Sequence, residues 1–109
     1  MRTRKLTLGL YADEQGLAWV RALVEDAAGA RSARIVSATV TIDDGYDYLA
    51  RQWAVEHPAQ GSGARQLIEL RVHLACSLRS WRATRKTVIE TLCPEGTAPH
   101  TCRVPWSAA

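Results

Sequence analysis

Residues 66–79, QLIELRVHLACSLR, alternate between apolar and polar side chains along most of their length. Ile68, Leu70, Val72, Leu74, Cys76 and Leu78 form one row, and Glu69, Arg71, His73, Ser77 and Arg79 form the other. Successive side chains of a strand point to opposite faces of a sheet, so this pattern predicts a strand with one face buried and one face polar. A helix would scatter the same apolar row around its whole circumference. The chain must therefore build a sheet with something packed on one side of it. Cys76 falls in the core row, where a thiol behaves as a small apolar side chain.

The rest of the chain supplies what packs there. Leu6, Leu8 and Leu10 alternate with Lys5, Thr7 and Gly9, which predicts a strand over 3–11. Asp13 suits a helix N-cap with Glu14 in the first turn, Leu17, Val20, Val24 and Ala27 recur at helical spacing, and Gly29 suits the C-cap. Residues 33–43 alternate again, with Val36, Ala38, Val40 and Ile42 expected inward and Ser37, Thr39 and Thr41 outward. Residues 46–57 admit either helix or strand; Tyr46, Leu49 and Trp53 favour a short helix that ends at His57-Pro58, before a loop over 59–64. Residues 81–93 are also open. Trp81, Val88 and Leu92 fit a helix with Arg85 misplaced on its apolar side, whereas the β-branched cluster around Val88 and Ile89 fits a strand preceded by a WRAT hairpin turn. A loop over 93–99 and a short edge strand over 101–106 complete the expectation.

This order predicts an α+β fold, a mainly antiparallel sheet with a helix packed on one face. A ferredoxin-like β-α-β-β-α-β arrangement is preferred, and a β-α start followed by an antiparallel meander is the alternative. With 109 residues the expectation is one domain over 1–109. No apolar run reaches the roughly 20 residues that span a bilayer. The basic start MRTRK is followed by too short an apolar stretch for a signal peptide. These points favour a cytoplasmic location with reduced thiols, Cys93 and Cys102 pairing only in an oxidising compartment.

Charge is unevenly placed. Residues 51–109 hold eight Lys/Arg against four Asp/Glu, while residues 1–50 hold six against seven. Arg79, Arg82, Arg85 and Lys86 surround Trp81, a combination suited to an acidic protein surface or to single-stranded nucleic acid. The β-α-β start invites comparison with the RNA-recognition fold, whose exposed strand aromatics stack bases. Here the exposed row of the 66–79 strand contains no aromatic, and the corresponding row of the 33–43 strand is read as Ile35, Ser37, Thr39 and Thr41. That recognition motif is missing.

The remaining chemistry is sparse. His73, Cys76, Cys93, His100 and Cys102 are ligand types for zinc, but they lack the short chelating pairs of zinc sites, and His73 and Cys76 point to opposite faces. Ser77 and His73 share a face, yet four residues of strand separate them by ~13 Å, too far for a nucleophile and its base. Asp43, Asp44 and Asp47 read as turn and cap residues. No catalytic, metal or cofactor constellation is expected. Arg71 and His73 stand out on the polar face, His73 as its one candidate acid–base. That face suits water or a partner protein better than an apolar ligand. Among the four tryptophans, Trp19 lies beside Leu23, off the main apolar line of its helix, and Trp106 sits near the C-terminus. Trp81 is the best candidate for a partner contact, with a cap on the edge of the core as the competing role.

The sequence therefore favours a small non-enzymatic protein that docks on another macromolecule, most of all a protein, through Arg79, Trp81, Arg82, Arg85 and Lys86. Inhibitors, antitoxins, immunity proteins and phage anti-defence proteins are of this kind. A nucleic-acid accessory using the same segment is the first alternative, and a small-ligand carrier or minor enzyme is the second. No oligomeric state is expected in particular.

Overall fold

The computed structural model describes residues 2–57, 63–92 and 104–108. Its elements are β1 (Arg2–Ala12), α1 (Glu14–Ala30), β2 (Arg34–Ile42), a 3-10 turn at Asp44–Tyr46, α2 (Asp47–Glu56), β3 (Gln66–Cys76), α3 (Leu78–Leu92) and β4 (Trp106–Ala108). The four strands form one antiparallel sheet in the order β2-β3-β1-β4. The chain is α+β, as the alternation predicted.

The apolar rows meet on one face of this sheet. Leu8 pairs with Leu70, Leu6 with Val72 and Leu10 with Ile68, and all six are buried. Val20, Val24 and Ala27 of α1 and Val88 and Leu92 of α3 close over them in one cluster, which also contains Cys76. The Asp13 carboxylate starts α1 by accepting the Gly16 amide at 2.7 Å. Gly29 does not end it. The helix runs to Ala30 with Arg31 as C-cap, and the left-handed residue beyond it is Ser32, with φ 56°.

The second strand departs from its predicted alternation. A register shift between Ile35 and Ser37 bulges the strand, so Ile35 pairs with Leu74 and Ser37 with His73. Ile35 therefore packs against the core instead of joining the polar row, and Val36 is left exposed. Bulges add one unpaired residue and strengthen local twist, and regular alternation in a sequence does not reveal them.

β3 stops at Cys76, short of the predicted end at residue 79. The Ser77 hydroxyl accepts the Ser80 amide at 3.1 Å, and its carbonyl accepts the Trp81 amide at 3.0 Å. Ser77 is thus a helix cap, and Leu78 and Arg79 belong to α3. The WRAT hairpin does not form. Thr84, Val88 and Leu92 lie four residues apart and are buried on one face of α3, so packing overrides the β preference of its Thr, Val and Ile residues. Arg85 sits beside that stripe, half-buried.

A short edge strand forms at Trp106–Ala108, which meets the predicted 101–106 at Trp106. The predicted 93–99 loop, residues 101–103 and the 59–62 part of the 59–64 loop lie outside the described residues, as do Cys93, His100 and Cys102.

Candidate functional site

The opposite face of the sheet was expected to be open and polar throughout. Only part of it is. The 46–57 segment is a helix, as favoured, and together with the 3-10 turn it lies across this second face. Asp43 caps that turn by accepting the Gly45 amide at 2.9 Å, and Asp47 pairs with Arg51 at 2.9 Å. Leu49 and Trp53 then bury against Tyr11, with Tyr46, Ala50 and Leu67 around them. Gly9 permits this approach, because a Cβ there would collide with the ring of Tyr46. His57 stacks on Trp53 with ring centroids 4.6 Å apart, and the Arg65 guanidinium lies 4.9 Å from the Trp53 ring centroid.

Glu69 is buried at the edge of this patch. Its Oε1 accepts both the Nε and an Nη of Arg71, at 3.1 and 2.7 Å. Burial, then the carboxylates of Glu69 and Asp43, hold the Tyr46 hydroxyl above the ordinary tyrosine pKa, and the hydroxyl donates to Glu69. A phenol that ionises less readily in the folded state stabilises the fold below its unfolded pKa of about 10. That contribution is lost as pH rises from there through the higher folded value. Urea titrations across this alkaline range are expected to show a decline in stability that Tyr46→Phe makes shallower.

The uncovered remainder holds Lys5, Arg71, His73, Ser37 and Thr39, with Arg71 engaged to Glu69. His73 Nδ1 lies 3.3 Å from the Ser37 hydroxyl, a cross-strand contact that depends on the β2–β3 register and has no signature in the linear sequence. Its other cross-strand neighbour is Lys5. Serine catalysis needs a base oriented by a third group and donors for an oxyanion. Here the ring stands between an exposed hydroxyl and an ammonium. Cys76 is buried on the other side of the sheet, and among the described residues no three His, Cys, Asp or Glu side chains gather as metal ligands.

The basic segment forms the first half of α3, across the sheet from Arg71 and His73, so the two groups of candidate residues do not combine into one site. Trp81 is half-buried against the main core, and its indole N–H donates to the Lys5 carbonyl at 3.1 Å. Both roles weighed for Trp81 are thus compatible with its position: one edge of the ring is anchored on the core, and the residue still reaches the surface. Trp81, Arg82, Arg85, Lys86, Ile89 and Glu90 line one open depression of about 550 Å³. Arg79 is exposed one turn earlier, outside that lining. Lys86 reaches Glu90 at 3.9 Å; among the described residues Arg79, Arg82 and Arg85 make no ion pair.

The placement of these cations is informative. The N-terminal turns of a helix favour negative charge, and a cation there is disfavoured by roughly 0.3–1 kcal/mol when exposed. α3 has no acidic residue in its first turn, where Arg79 stands instead. Helix stability does not account for that arginine.

Compared with protein-family models, with curated proteins and with solved structures, the chain matches none. No helix among the described residues is long and apolar enough to cross a membrane.

Proposed function

We propose that this chain is a small non-enzymatic binding protein that docks on an acidic surface of another protein through the first half of α3. The observation that carries this reading is the depression lined by Trp81, Arg82, Arg85, Lys86 and Ile89, with Glu90 as its one acidic residue. It combines an anchored aromatic, an aliphatic neighbour and guanidinium groups, the side chains that dominate binding hot spots. Arg79, a cation in the first turn of the helix, supports it, because a partner's carboxylate would supply the counter-charge that Arg79 lacks among the described residues. Arg79 extends the same basic face.

The architecture suits such a role. The strand order β2-β3-β1-β4, with one helix between β1 and β2 and another between β3 and β4, supports the ferredoxin-like reading, α2 being an addition between β2 and β3. A cytoplasmic setting with reduced thiols accords with the buried free Cys76.

Reversing two charges tests the docking face. Arg82→Glu combined with Arg85→Glu is expected to abolish capture of the partner from nuclease-treated lysate while leaving the circular dichroism spectrum unchanged. Capture that persists at full strength would refute this surface. The same arginines also favour a second reading, nucleic-acid binding. Affinity for an oligonucleotide that falls steeply with added salt, and is lost in the same variant, would establish that reading in place of the first.

A further inference from the structure

The geometry points to β2 as a self-pairing edge: we propose that two copies of this chain join β2 to β2 antiparallel and form one continuous eight-stranded sheet. This rests on the strand edge alone and is independent of the α3 reading.

β2 has β3 on one side and no strand among the described residues on the other. Native edges are commonly protected by lysine, proline, inward charge or a bulge. Residues 35–42 of β2, IVSATVTI, contain no lysine, proline or charge, and the one bulge lies near the start, which leaves Ser37–Ile42 in regular register. The side of β2 that faces the helices is left largely bare. Val40 is 38% exposed, Ile42 70% and the bulged Val36 53%. Between α1 and this strand runs a groove of about 240 Å³ lined by Val24, Ile35 and Ala38, among others. An apolar row with an unpaired backbone beside it is a template for another strand.

The charges at the two ends of β2 select a second copy as that strand. Arg31 and Arg34 stand at its start, and Asp43 and Asp44 follow its end. Antiparallel self-pairing sets the basic start of each copy against the acidic end of the other, twice.

The register follows from the pleat. A two-fold axis perpendicular to the sheet must bring like faces together. With the axis through Thr39 and the bulge counted as one position, Ala38 faces Val40 of the second copy. Ser37 faces Thr41, Ile42 faces the Ile35–Val36 bulge, and Arg34 faces Asp43. Every position of β2, with the bulge counted as one, then has a partner, and the two Thr39 side chains meet on the axis.

That symmetry gives a test with its own rescue. Sedimentation equilibrium is expected to show wild-type protein approaching twice the monomer mass as its concentration rises. Thr39→Lys places like charges directly opposite each other across the axis and is expected to weaken the dimer by about tenfold or more. Mixing Thr39→Lys with Thr39→Glu is expected to restore a heterodimer, because the axis then holds an ion pair. Thr39 is exposed, so neither substitution disturbs the core, and unchanged circular dichroism checks this. Wild-type protein that stays monomeric throughout overturns the proposal and leaves the edge to a strand of a different protein. A Thr39→Lys dimer as tight as wild type, or a mixture that fails to pair, overturns it equally.

Discussion

Truncation of Trp53 to alanine is expected to cost about 3–5 kcal/mol and to release α2 from the sheet while the larger core persists. Trp53 is 4% exposed and is the largest contributor to the cluster on the second face. Tyr11 meets it edge-on at 6.1 Å between ring centroids, and His57 and Arg65 stack against it. α2 is ten residues long, too short to hold a helix in water without docking. Its helicity therefore depends on this one side chain more than on its own sequence. Hydrogen exchange should show the amides of residues 47–56 losing protection while those of β1 and β3 keep theirs. Undiminished protection of α2 in the variant would show that Leu49 and Tyr46 suffice to hold it.

A substitution in the central strand should behave differently. Leu8→Ala is expected to cost about 2–5 kcal/mol and to lower the protection of every element together. Leu8 has no solvent exposure and lies in β1 between Leu70 on one side and Ala108 on the other. The cavity it leaves is bounded by strands on both flanks and cannot easily collapse. Ile42→Ala is the matched control. It removes a similar side chain from the helix-facing row of the sheet, but at an edge position, and should shift monomer stability by no more than about 0.5 kcal/mol. Urea unfolding of both variants, at concentrations where the protein is monomeric, checks the contrast. Equal losses would mean that Ile42 is covered within the monomer.

The difference between Leu8 and Ile42 also marks how far the sequence could be read. Alternation identified β1, β2 and β3 because one face of each strand is apolar, and helical spacing identified α1. Alternation alone does not say which strand lies at an edge. Val40 and Ile42 resemble Leu8 and Leu10 in the sequence and differ from them only in what covers them. The bulge at Val36 and the cap at Ser77 were hidden for a related reason. Both sit inside stretches where the polar–apolar rhythm continues by coincidence, and the interruption is made by the backbone.

The second face was misread because its cover comes from an element whose docking is tertiary. Two signals for it were present: a glycine in the polar row of an alternating strand, and Tyr11 two residues further along on the same face. Glycine within a strand often marks the close approach of another group. For the candidate site, the cluster of Arg79, Trp81, Arg82, Arg85 and Lys86 was legible as composition. The helix that carries it was one of the two readings left open for 81–93, but the tie of the indole to Lys5 was not legible, because it joins residues far apart in the chain. Ser37 beside His73 was invisible for the same reason.

The position of β1 has a consequence in time. Like β3 it is flanked on both sides, yet its partners lie far along the chain: β3 begins at Gln66 and β4 at Trp106. At ribosomal rates of 5–20 residues per second, β1 emerges roughly 3–10 s before the first strand it pairs with. Throughout that interval the apolar row LTLGL must be kept from other chains, and only α1 is at hand to shield it. The sheet is completed from its middle outward in space but closes last around a strand made before the other three. Folding of this small protein should accordingly be governed by loop closure and not by the speed of its helices.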